Sequence, residues 1–548
     1  MEDRITTNRR DLPVRHEDGY RLRSGSGRRQ EKHVRGRAAT IVMALLVAAL
    51  WGCGGQEPAG EGERRLTLAA PRDLVAGPED PYYAHQTLRI WEPLVTVDDR
   101  LRPVPALAAS WAVAEQGRRW TFTLREGVRF SDGTPLTAES VVANVERFVR
   151  IAPRQSAFFS LDAGMEAAYG KLDDVRAEGG KVVFELKEGV ADLPGRLAGF
   201  SSMVQSPKAF AASGGFAGEP IGTGPYTLAS WTKGQQAVLA ANPHYHGTAP
   251  AYDTIVVRVI PDANARVAAL RAGEVDGLID KGALLPGQVA AIAGDSGFRV
   301  VRSPSVLTHY LTFNASREPF SDPRLREAAD LAIDRRAIAG TLLAGTATPG
   351  AGFLSPVFGD LADPGITAPY DPGRARALVA EAGPPAQPVT ILISSAETGQ
   401  FPYTDVAEVL RAAFEQAGLP AEVTVAEATK AVMEAGDYDV FLSAYSVPNG
   451  DADYLFRRFL RSDASWNVER RLGYRDAEFD ELVDRAAART DPAGRRELYH
   501  RIQRLLAADR PMVALAYQDN AIVTTAKVGG AAQSAAYVVD LGRLAPAK

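Results

Sequence analysis

The stretch from Trp91 to Val142 reads WEPLVTVDDRLRPVPALAASWAVAEQGRRWTFTLREGVRFSDGTPLTAESVV, and its second half follows a strand–turn–helix pattern. Apolar residues alternate from Trp120 to Leu124, which predicts a half-buried strand, and the SDGTP segment supplies a turn. Apolar residues then recur at helical spacing from Val141 to Val149, and Thr137 is placed to cap that helix. The stretch therefore predicts a fold in which strands and helices alternate.

The same alternation continues towards the carboxyl terminus. A buried strand, a helix and a second buried strand are predicted at Val389–Ser394, Asp405–Gly418 and Asp439–Tyr445. Asp322–Pro323 and Asp491–Pro492 each place an N-cap before a first-turn proline, so two further helices should begin there, and Gly345 can end the first of them. This β–α–β spacing is typical of a mixed α/β protein.

Composition limits the classes of function. The chain has 548 residues, one cysteine and a formal net charge of −5. Residues 1–52 carry 11 Lys/Arg and 6 Asp/Glu, so the rest holds 51 basic against 61 acidic residues. An acidic body argues against nucleic acid as a partner, because phosphate binding needs clustered Lys and Arg. One cysteine excludes an intramolecular disulfide and a cysteine-based zinc site.

The amino-terminal region is predicted to be a targeting segment rather than part of the fold. Residues 1–52 combine a long Arg-rich region with a short apolar run that suits a signal peptide better than a membrane span. An over-extended start and a twin-arginine signal at Arg9–Arg10 are two explanations for the long charged part. Cys53 follows Leu50–Trp51–Gly52, and residues 53–65 begin with this cysteine and continue as a flexible tether.

A search for catalytic and metal-binding motifs finds little. The SWTK segment (Ser230–Lys233) has the spacing of a serine–lysine nucleophile pair, but the pattern around it predicts two strands and a glycine turn. His244 and His246 are two residues apart with no third ligand nearby in sequence, which favours solvated histidines. We therefore expect no enzymatic activity, no cofactor and no resident metal.

Seven segments in order resemble the family 5 extracytoplasmic solute-binding proteins, the peptide- and nickel-binding receptors of ABC importers. The strongest is Trp91–Val142, quoted above. The others are PIGTGPYTL, NPHYHG, VIPDANARVAALRAGEVDGL, LTFNAS, DPRLREAADLAIDR and GYRDAEFDELVDRA, which follow in family order. The segment around Cys53 likewise resembles a bacterial lipobox, in which the cysteine is lipidated; a chance cysteine is the alternative.

The resemblance implies a two-lobe periplasmic-binding-protein-like fold (type II, class C), with mixed sheets joined by two hinge crossings. Lobe I would comprise residues 66–259 and a return segment, residues 512–548, and lobe II residues 260–511. The crossings would then be VVRVIPD and PMVALAY. Ligand binding would favour a closed state through a hinge motion.

The resemblance also implies where the ligand binds. The loop after the predicted strand Asp439–Tyr445 leaves the carboxyl end of a sheet, where α/β proteins place their ligands. The ligand-binding candidates are Tyr445, Asn449, Asp451 and Asp453 in lobe II and Tyr82, Tyr83, His85 and Gln86 in lobe I. One of the two aspartates would hold a peptide's amino terminus, and a helix N-cap is the alternative for either. Alanine at either is then expected to weaken binding and to lower stability by less than ~1 kcal/mol.

The expected function is that of a monomeric, lipid-anchored receptor outside the cytoplasm, in the periplasm or on the outer face of the cell envelope. It would deliver a peptide or a metal–chelate to importer permease subunits. GALLPGQVAAIA (Gly282–Ala293) and the ending YVVDLGRLAPAK resemble the nickel type, but the LAGFSSMVQSP segment lacks the arginine that this type uses; Arg196 lies just outside it. The alternative is a surface lipoprotein of the same fold with a role in chaperoning, signalling or hydrolysis.

Overall fold

A computed structural model describes residues 63–74, 87–155, 169–198, 202–210, 220–446, 451–536 and 538–548. The strands are, in chain order, β1 (Arg65–Ala70), β2 (Glu92–Pro93), β3 (Val95–Val97), β4 (Pro103–Pro105), β5 (Ala108–Ala114), β6 (Arg119–Leu124), β7 (Leu172–Glu178), β8 (Lys181–Leu186), β9 (Met203–Val204), β10 (Tyr226–Thr232), β11 (Gln236–Ala241), β12 (Thr254–Val259), β13 (Gly277–Leu278), β14 (Phe298–Phe313), β15 (Ala347–Pro349), β16 (Val389–Ser394), β17 (Ala421–Ala426), β18 (Val440–Tyr445), β19 (Met512–Thr525), β20 (Val528–Gly529) and β21 (Ala545–Pro546).

Helices alternate with these strands, which confirms the predicted α/β class. They are α1 (Ala138–Gln155), α2 (Leu193–Leu197), α3 (Ala263–Arg271), α4 (Pro286–Ala293), α5 (Pro323–Leu331), α6 (Arg335–Ala337), α7 (Pro372–Ala382), α8 (Ser395–Thr398), α9 (Tyr403–Ala417), α10 (Thr429–Ala435), α11 (Asp453–Phe459), α12 (Ser465–Glu469), α13 (Ala477–Ala488) and α14 (Pro492–Asp509). Shorter helical turns lie at Glu115–Gly117, Pro207–Ala209, Ile338–Leu342, Pro356–Leu361 and Leu541–Arg543.

The predicted helix starts are confirmed, but one predicted end is wrong. The Asp322 carboxylate accepts the backbone N–H of Arg324 at 2.8 Å and caps α5. The helix stops at Leu331, well before Gly345. The reason is a second cap, because Asp334 accepts the N–H of Ala337 at 2.9 Å and starts α6. A side-chain cap in the middle of an apolar helical pattern thus divides it into two helices.

Buried apolar side chains form two large cores and a small one. The first core draws on residues between Leu66 and Val257 and on the tail from Ile522 to Leu544. The second core is built almost entirely from residues between Val306 and Tyr517. The small core packs α3 and α4 against Ala69 and Val523. Two separate large cores are what two lobes require.

One continuous sheet links the two large cores. Its main path is β10-β11-β12-β1-β13-β19-β14-β18-β16-β17, and β15 adds to β19. The long antiparallel strands β14 and β19 join the two halves of this sheet, and their register shifts between Pro304 and Thr308. β19 contributes side chains to all three cores, whereas β14 contributes to the second core and packs against the small one. A four-stranded sheet, β5-β6-β8-β7, belongs to the first core together with α1.

The position of the first connection differs from the sequence expectation. The VVRVIPD segment lies in and after β12, which pairs only with β11 and β1 on the side of the first core. The chain then builds the small core before β14 carries it into the second core. The second predicted connection, PMVALAY, does lie at the start of β19. The exact bounds of the lobes stay a prediction.

Candidate functional site

The candidate site lies where strand ends from the two halves of the sheet face each other. β1 and β13 are parallel, and so are β16 and β18. Because β19 is antiparallel to both β13 and β14, and β14 is antiparallel to β18, the two parallel pairs run in opposite directions. Their carboxyl ends therefore point towards each other across the register shift of β14 and β19. Carboxyl ends of parallel strands are where α/β sheets place ligands.

A recess opens at this meeting point, with about 490 Å³ that no protein atom fills, part of it open to solvent. Its lining includes Lys281 after β13, Phe401 from the second half, and Arg302, Gln518 and Asn520 from the long strands.

Lys281 provides a positive charge in the recess that is surrounded by protein yet partly exposed. Its ammonium lies 5.9 Å from the centre of the Phe401 ring, and we find no hydrogen bond or ion pair to it among the described residues. Neighbouring Asp280 is already occupied, because Arg72 binds both its oxygens at 2.7 and 3.1 Å. Burial lowers the pKa of Lys281, an effect that the charge of Glu397 opposes.

Glu397 provides a negative charge near Lys281 from the opposite half of the sheet. It lies on α8, directly after β16, and its two oxygens accept the Ser443 hydroxyl at 3.0 and 2.9 Å. The side chain is partly exposed and forms no direct ion pair with a described residue. Burial raises the pKa of Glu397, while the bond from Ser443 and the charge of Lys281 oppose that rise.

Tyr445 lies at the end of β18, as predicted, with its ring packed among aromatic side chains. The ring centres of Phe459 and Trp466 are 4.8 and 5.1 Å away. Its buried hydroxyl makes no well-formed hydrogen bond among the described residues. Burial raises the pKa of Tyr445, so the hydroxyl is neutral and can still donate a hydrogen bond.

Asp451 and Asp453, the other described site candidates, are bound to arginines instead of lining the recess. Arg196 on α2 donates to Asp451 at 3.1 Å and to Asp453 at 2.8 Å, so a first-core element reaches the second core. Arg495 donates to Asp451 at 2.6 Å, and Arg457 donates to Asp453 at 3.0 Å. We call these five residues the Arg196 cluster.

The Arg196 cluster leaves little capacity for a ligand. Both carboxylates are about 1 % exposed, and Asp451 also accepts the N–H of Asp453 at 3.0 Å just before α11. Burial alone raises the pKa of Asp453, but the charges of Arg457 and Arg196 outweigh it and hold that pKa below its ordinary value. Arg196, which lies just outside the segment that lacks the nickel-type arginine, is likewise bound to both carboxylates.

The remaining site candidates lie outside the described residues: Tyr82, Tyr83, His85, Gln86 and Asn449, together with Cys53. Over the described ranges, no group of three or more His, Cys, Asp and Glu side chains is placed to hold a metal ion. Of the histidine pair, His246 bonds to Glu92 at 2.9 Å.

Lys281 and Glu397 are the residues that sequence reasoning missed. Glu397 follows the predicted strand Val389–Ser394, so the rule that selected Tyr445 would also have found it. Lys281 follows a strand of only two residues, which leaves no periodic signal in the sequence.

Comparison with known proteins places the chain in a family. The model of the bacterial extracellular solute-binding proteins, family 5, middle region, matches residues 102–467. The chain belongs to this family. Members are binding proteins rather than enzymes, and they act outside the cytoplasm. Within the described ranges, no helix is both long and apolar enough to span a bilayer.

Individual relatives align with this solute-binding protein over most of their own length. Protein XP55 of Streptomyces lividans is 32% identical over 455 residues, which cover 79% of this chain and 80% of XP55. The glutathione-binding protein GsiB of Escherichia coli is 28% identical over 456 residues, covering 80% and 86%. The crystal structure of NikA from Brucella suis in complex with Fe(III)-EDTA superposes with a TM-score of 0.78 at 26% identity, covering 88% of this chain and all of that one. The periplasmic-binding-protein-like fold is thereby confirmed.

Proposed function

We propose that the chain is the receptor of an ABC importer and captures its solute in the recess between the opposed strand ends. The observation that carries this proposal is a pair of opposite charges on the two halves of one sheet: Lys281 lines the recess, and Glu397 lies close enough to act on its charge. Neither side chain forms an ion pair with a described residue. A buried charge that is already paired with opposite charges gains little from a ligand. A partly buried charge without an ion pair is stabilised when a ligand supplies the opposite charge.

Closure would occur about the two long strands. β14 and β19 are the long strands that join the two halves of the sheet, and the register shift between Pro304 and Thr308 interrupts their pairing midway. A local interruption of this kind is a natural place for a hinge, because few hydrogen bonds resist bending there. Contacts such as the Arg196 cluster would then form only when the two cores approach each other.

The proposed solute is a small carboxylate-bearing compound, either a peptide or a metal–chelate. GsiB is named for glutathione, a peptide, and the NikA complex contains a metal held by EDTA. Both ligands carry carboxylates, for which a lysine ammonium is a suitable donor. Mass spectrometry of small molecules released from the purified protein tests this: recovery of neutral, uncharged solutes alone would contradict it.

A second test separates transport binding from another surface role. Addition of the recovered solute should shrink the radius of gyration in solution scattering, with the solute unchanged after prolonged incubation. Chemical turnover of the solute, or binding with no change in shape, would favour the alternative of a surface lipoprotein with a different task.

We also propose that Cys53 carries the lipid that keeps this receptor at the membrane, from which it would deliver solute to permease subunits as a monomer. A multiply acylated terminus holds a protein far more firmly than one chain does. Cys53→Ser should therefore move the protein from the membrane to the soluble fraction with its solute affinity intact, as fractionation and calorimetry would measure. A variant that stayed in the membrane would assign anchoring to the apolar run before residue 52.

A further inference from the structure

The elements of the two large cores also contact each other directly, just after β8. The backbone N–H of Ala191 donates at 2.8 Å to the carbonyl of Ala487 on α13, a helix of the second core. The preceding residue, Val190, is buried in the first core and donates to Gly117, next to β6, at 3.0 Å. Two consecutive amides therefore differ in kind, because one bond lies within the first core and the other joins the two cores.

The two surfaces approach closely at this contact. Gly117 has a φ of +86°, and a Cβ added to it would lie 3.2 Å from Cγ2 of Thr490, which follows α13. It would also lie 2.6 Å from the carbonyl oxygen of Val190. A side chain at Gly117 would push the surfaces apart, so the close fit depends on this glycine.

Arg196 extends the contact into the second core. Its helix, α2, is anchored in the first core by the fully buried side chains of Leu193 and Leu197. The guanidinium donates from separate nitrogens to Asp451 at 3.1 Å and to Asp453 at 2.8 Å. The Arg196 side chain is only 3% exposed, so both bonds are shielded from water. Charge-assisted bonds are strongest when they are shielded in this way.

Asp192, at the start of α2, balances the charge of Arg196. One of its oxygens caps the helix by accepting the N–H of Gly195 at 2.9 Å, and the other lies 3.9 Å from Arg495. The second core presents two acids and two bases to this helix, namely Asp451, Asp453, Arg457 and Arg495. Within this set each surface is neutral by itself. Closing therefore buries no net charge, and opening leaves no unbalanced charge on either side.

We propose that these contacts form a latch that can close the molecule without a solute. The latch consists of the Arg196 cluster, Asp192 and the bond from Ala191 to Ala487. Its bonds join protein groups to each other, and its residues differ from those that line the recess. The inference rests on the proposed receptor function, in which the two cores separate to admit a solute. The empty receptor then alternates between an open and a latched state, and a solute shifts that balance towards the closed one.

The latch controls how fast the solute is exchanged. Only open molecules admit a solute, so the association rate falls as the latched fraction rises. The same bonds must break before a bound solute leaves, so dissociation slows as well. Arg196 thereby acts on both rates from outside the recess.

Hydrogen exchange at the two consecutive amides tests the latch, in full-length protein dialysed free of small molecules. In the wild type the Ala191 amide should be protected before any solute is added. In Arg196→Gln it should exchange about two- to tenfold faster, the range for latched fractions between about one half and nine tenths. The Val190 amide should keep its rate, because its bond lies within the first core.

Two further variants complete the comparison. Arg461→Gln removes an arginine whose partners, Asp463 and Asp484, lie on the same side of the contact, so neither amide should change. Arg196→Lys keeps the charge but has one ammonium for two carboxylates, so its Ala191 amide should exchange at an intermediate rate. In solution scattering without solute, Arg196→Gln should have a larger radius of gyration than the wild type, and Arg461→Gln the same one.

The outcomes separate the latch from the function on which it rests. An unprotected Ala191 amide in the solute-free wild type would overturn the latch and leave the receptor intact. Faster exchange of Val190 together with Ala191 in Arg196→Gln would also overturn it, since Arg196 would then only support the local fold. If Arg196→Gln does not fold, Arg196→Lys carries the same comparison. The receptor function fails independently if no solute is released from the purified protein.

Discussion

Two groups of charges lie deep in the molecule, and they differ in how many partners each charge has. In the Arg196 cluster every carboxylate accepts from at least two arginines, and the side chains of Asp451 and Asp453 are about 1 % exposed. Around the recess, Lys281 and Glu397 are separated, partly exposed and without a direct ion pair among the described residues. A saturated cluster fixes the positions of chain segments, whereas an unsaturated pair leaves room for a ligand.

Removing one carboxylate from the Arg196 cluster should have the largest effect on stability. Asp451→Ala should lower the free energy of unfolding by about 3–5 kcal/mol, because it leaves Arg196 and Arg495 buried beside an incomplete set of carboxylates. This exceeds the loss of under ~1 kcal/mol expected from the sequence. Denaturant titration followed by tryptophan fluorescence measures it.

The matched control for that change is Asp463→Ala. Asp463 pairs with Arg461 at 2.9 Å but is 72% exposed, so its loss should lower stability by less than about 1 kcal/mol. If Asp451→Ala were as mild as this control and weakened solute binding instead, Asp451 would belong to the binding site after all.

A buried histidine under the recess should make stability fall in mild acid. His309 accepts from the Tyr403 hydroxyl at 2.7 Å and donates to Gln518 at 3.1 Å, which fits a neutral ring, and burial lowers its pKa to about 4. Its stabilisation is complete above its unfolded pKa of about 6.5 and is lost as the pH falls towards 4, by up to about 3 kcal/mol.

The measurement is the denaturation midpoint between pH 7 and pH 4.5. His309→Gln has no titrating ring, so its midpoint should change less with pH than that of the wild type, whatever its absolute stability. Parallel curves for the two proteins would show that other groups cause the acid sensitivity.

Removing the charge of Lys281 should have the smallest effect on stability, and that effect should be stabilising if it is detectable. Lys281→Met removes a desolvated ammonium that lacks an ion pair among the described residues, so stability should stay unchanged or rise by about 1 kcal/mol. The same denaturant titration measures it, with Lys233→Met at an exposed turn as the neutral reference. If the free energy of unfolding fell by more than about 1 kcal/mol, Lys281 would stabilise the fold. It would then not differ in kind from the charges of the Arg196 cluster.

Local patterns predicted the elements of the fold well. The strand Val389–Ser394 has the predicted bounds, and the caps at Asp322 and Asp491 lie where the sequence placed them. These signals are local, since a strand, a cap or a helical face depends on a few neighbouring residues. The order of the strands in the sheet came only from the structure.

The candidate site was harder to predict, because its residues are brought together by contacts between segments that are far apart in the sequence. The position of Tyr445 at the end of β18 was predicted because it ends a recognisable buried strand. Asp451 looked free because its partner Arg196 lies 255 residues away, and nothing local signals such a pair. Lys281 was missed because β13 is defined by pairing with β1 and β19, not by its own two residues. The site depends on long-range pairing, which a local pattern does not encode.

The adjacency of β14 and β19 has a consequence for the modular design of the chain. Thr308 pairs directly with Tyr517, so the chain enters and leaves the second core on neighbouring strands, which lie about 4.8 Å apart. The second core is thus an insert whose two ends meet, like a module that a short linker could close. Leu101 and Ala535 are the buried side chains that such an excised module would lose, since they reach into it from outside the inserted segment.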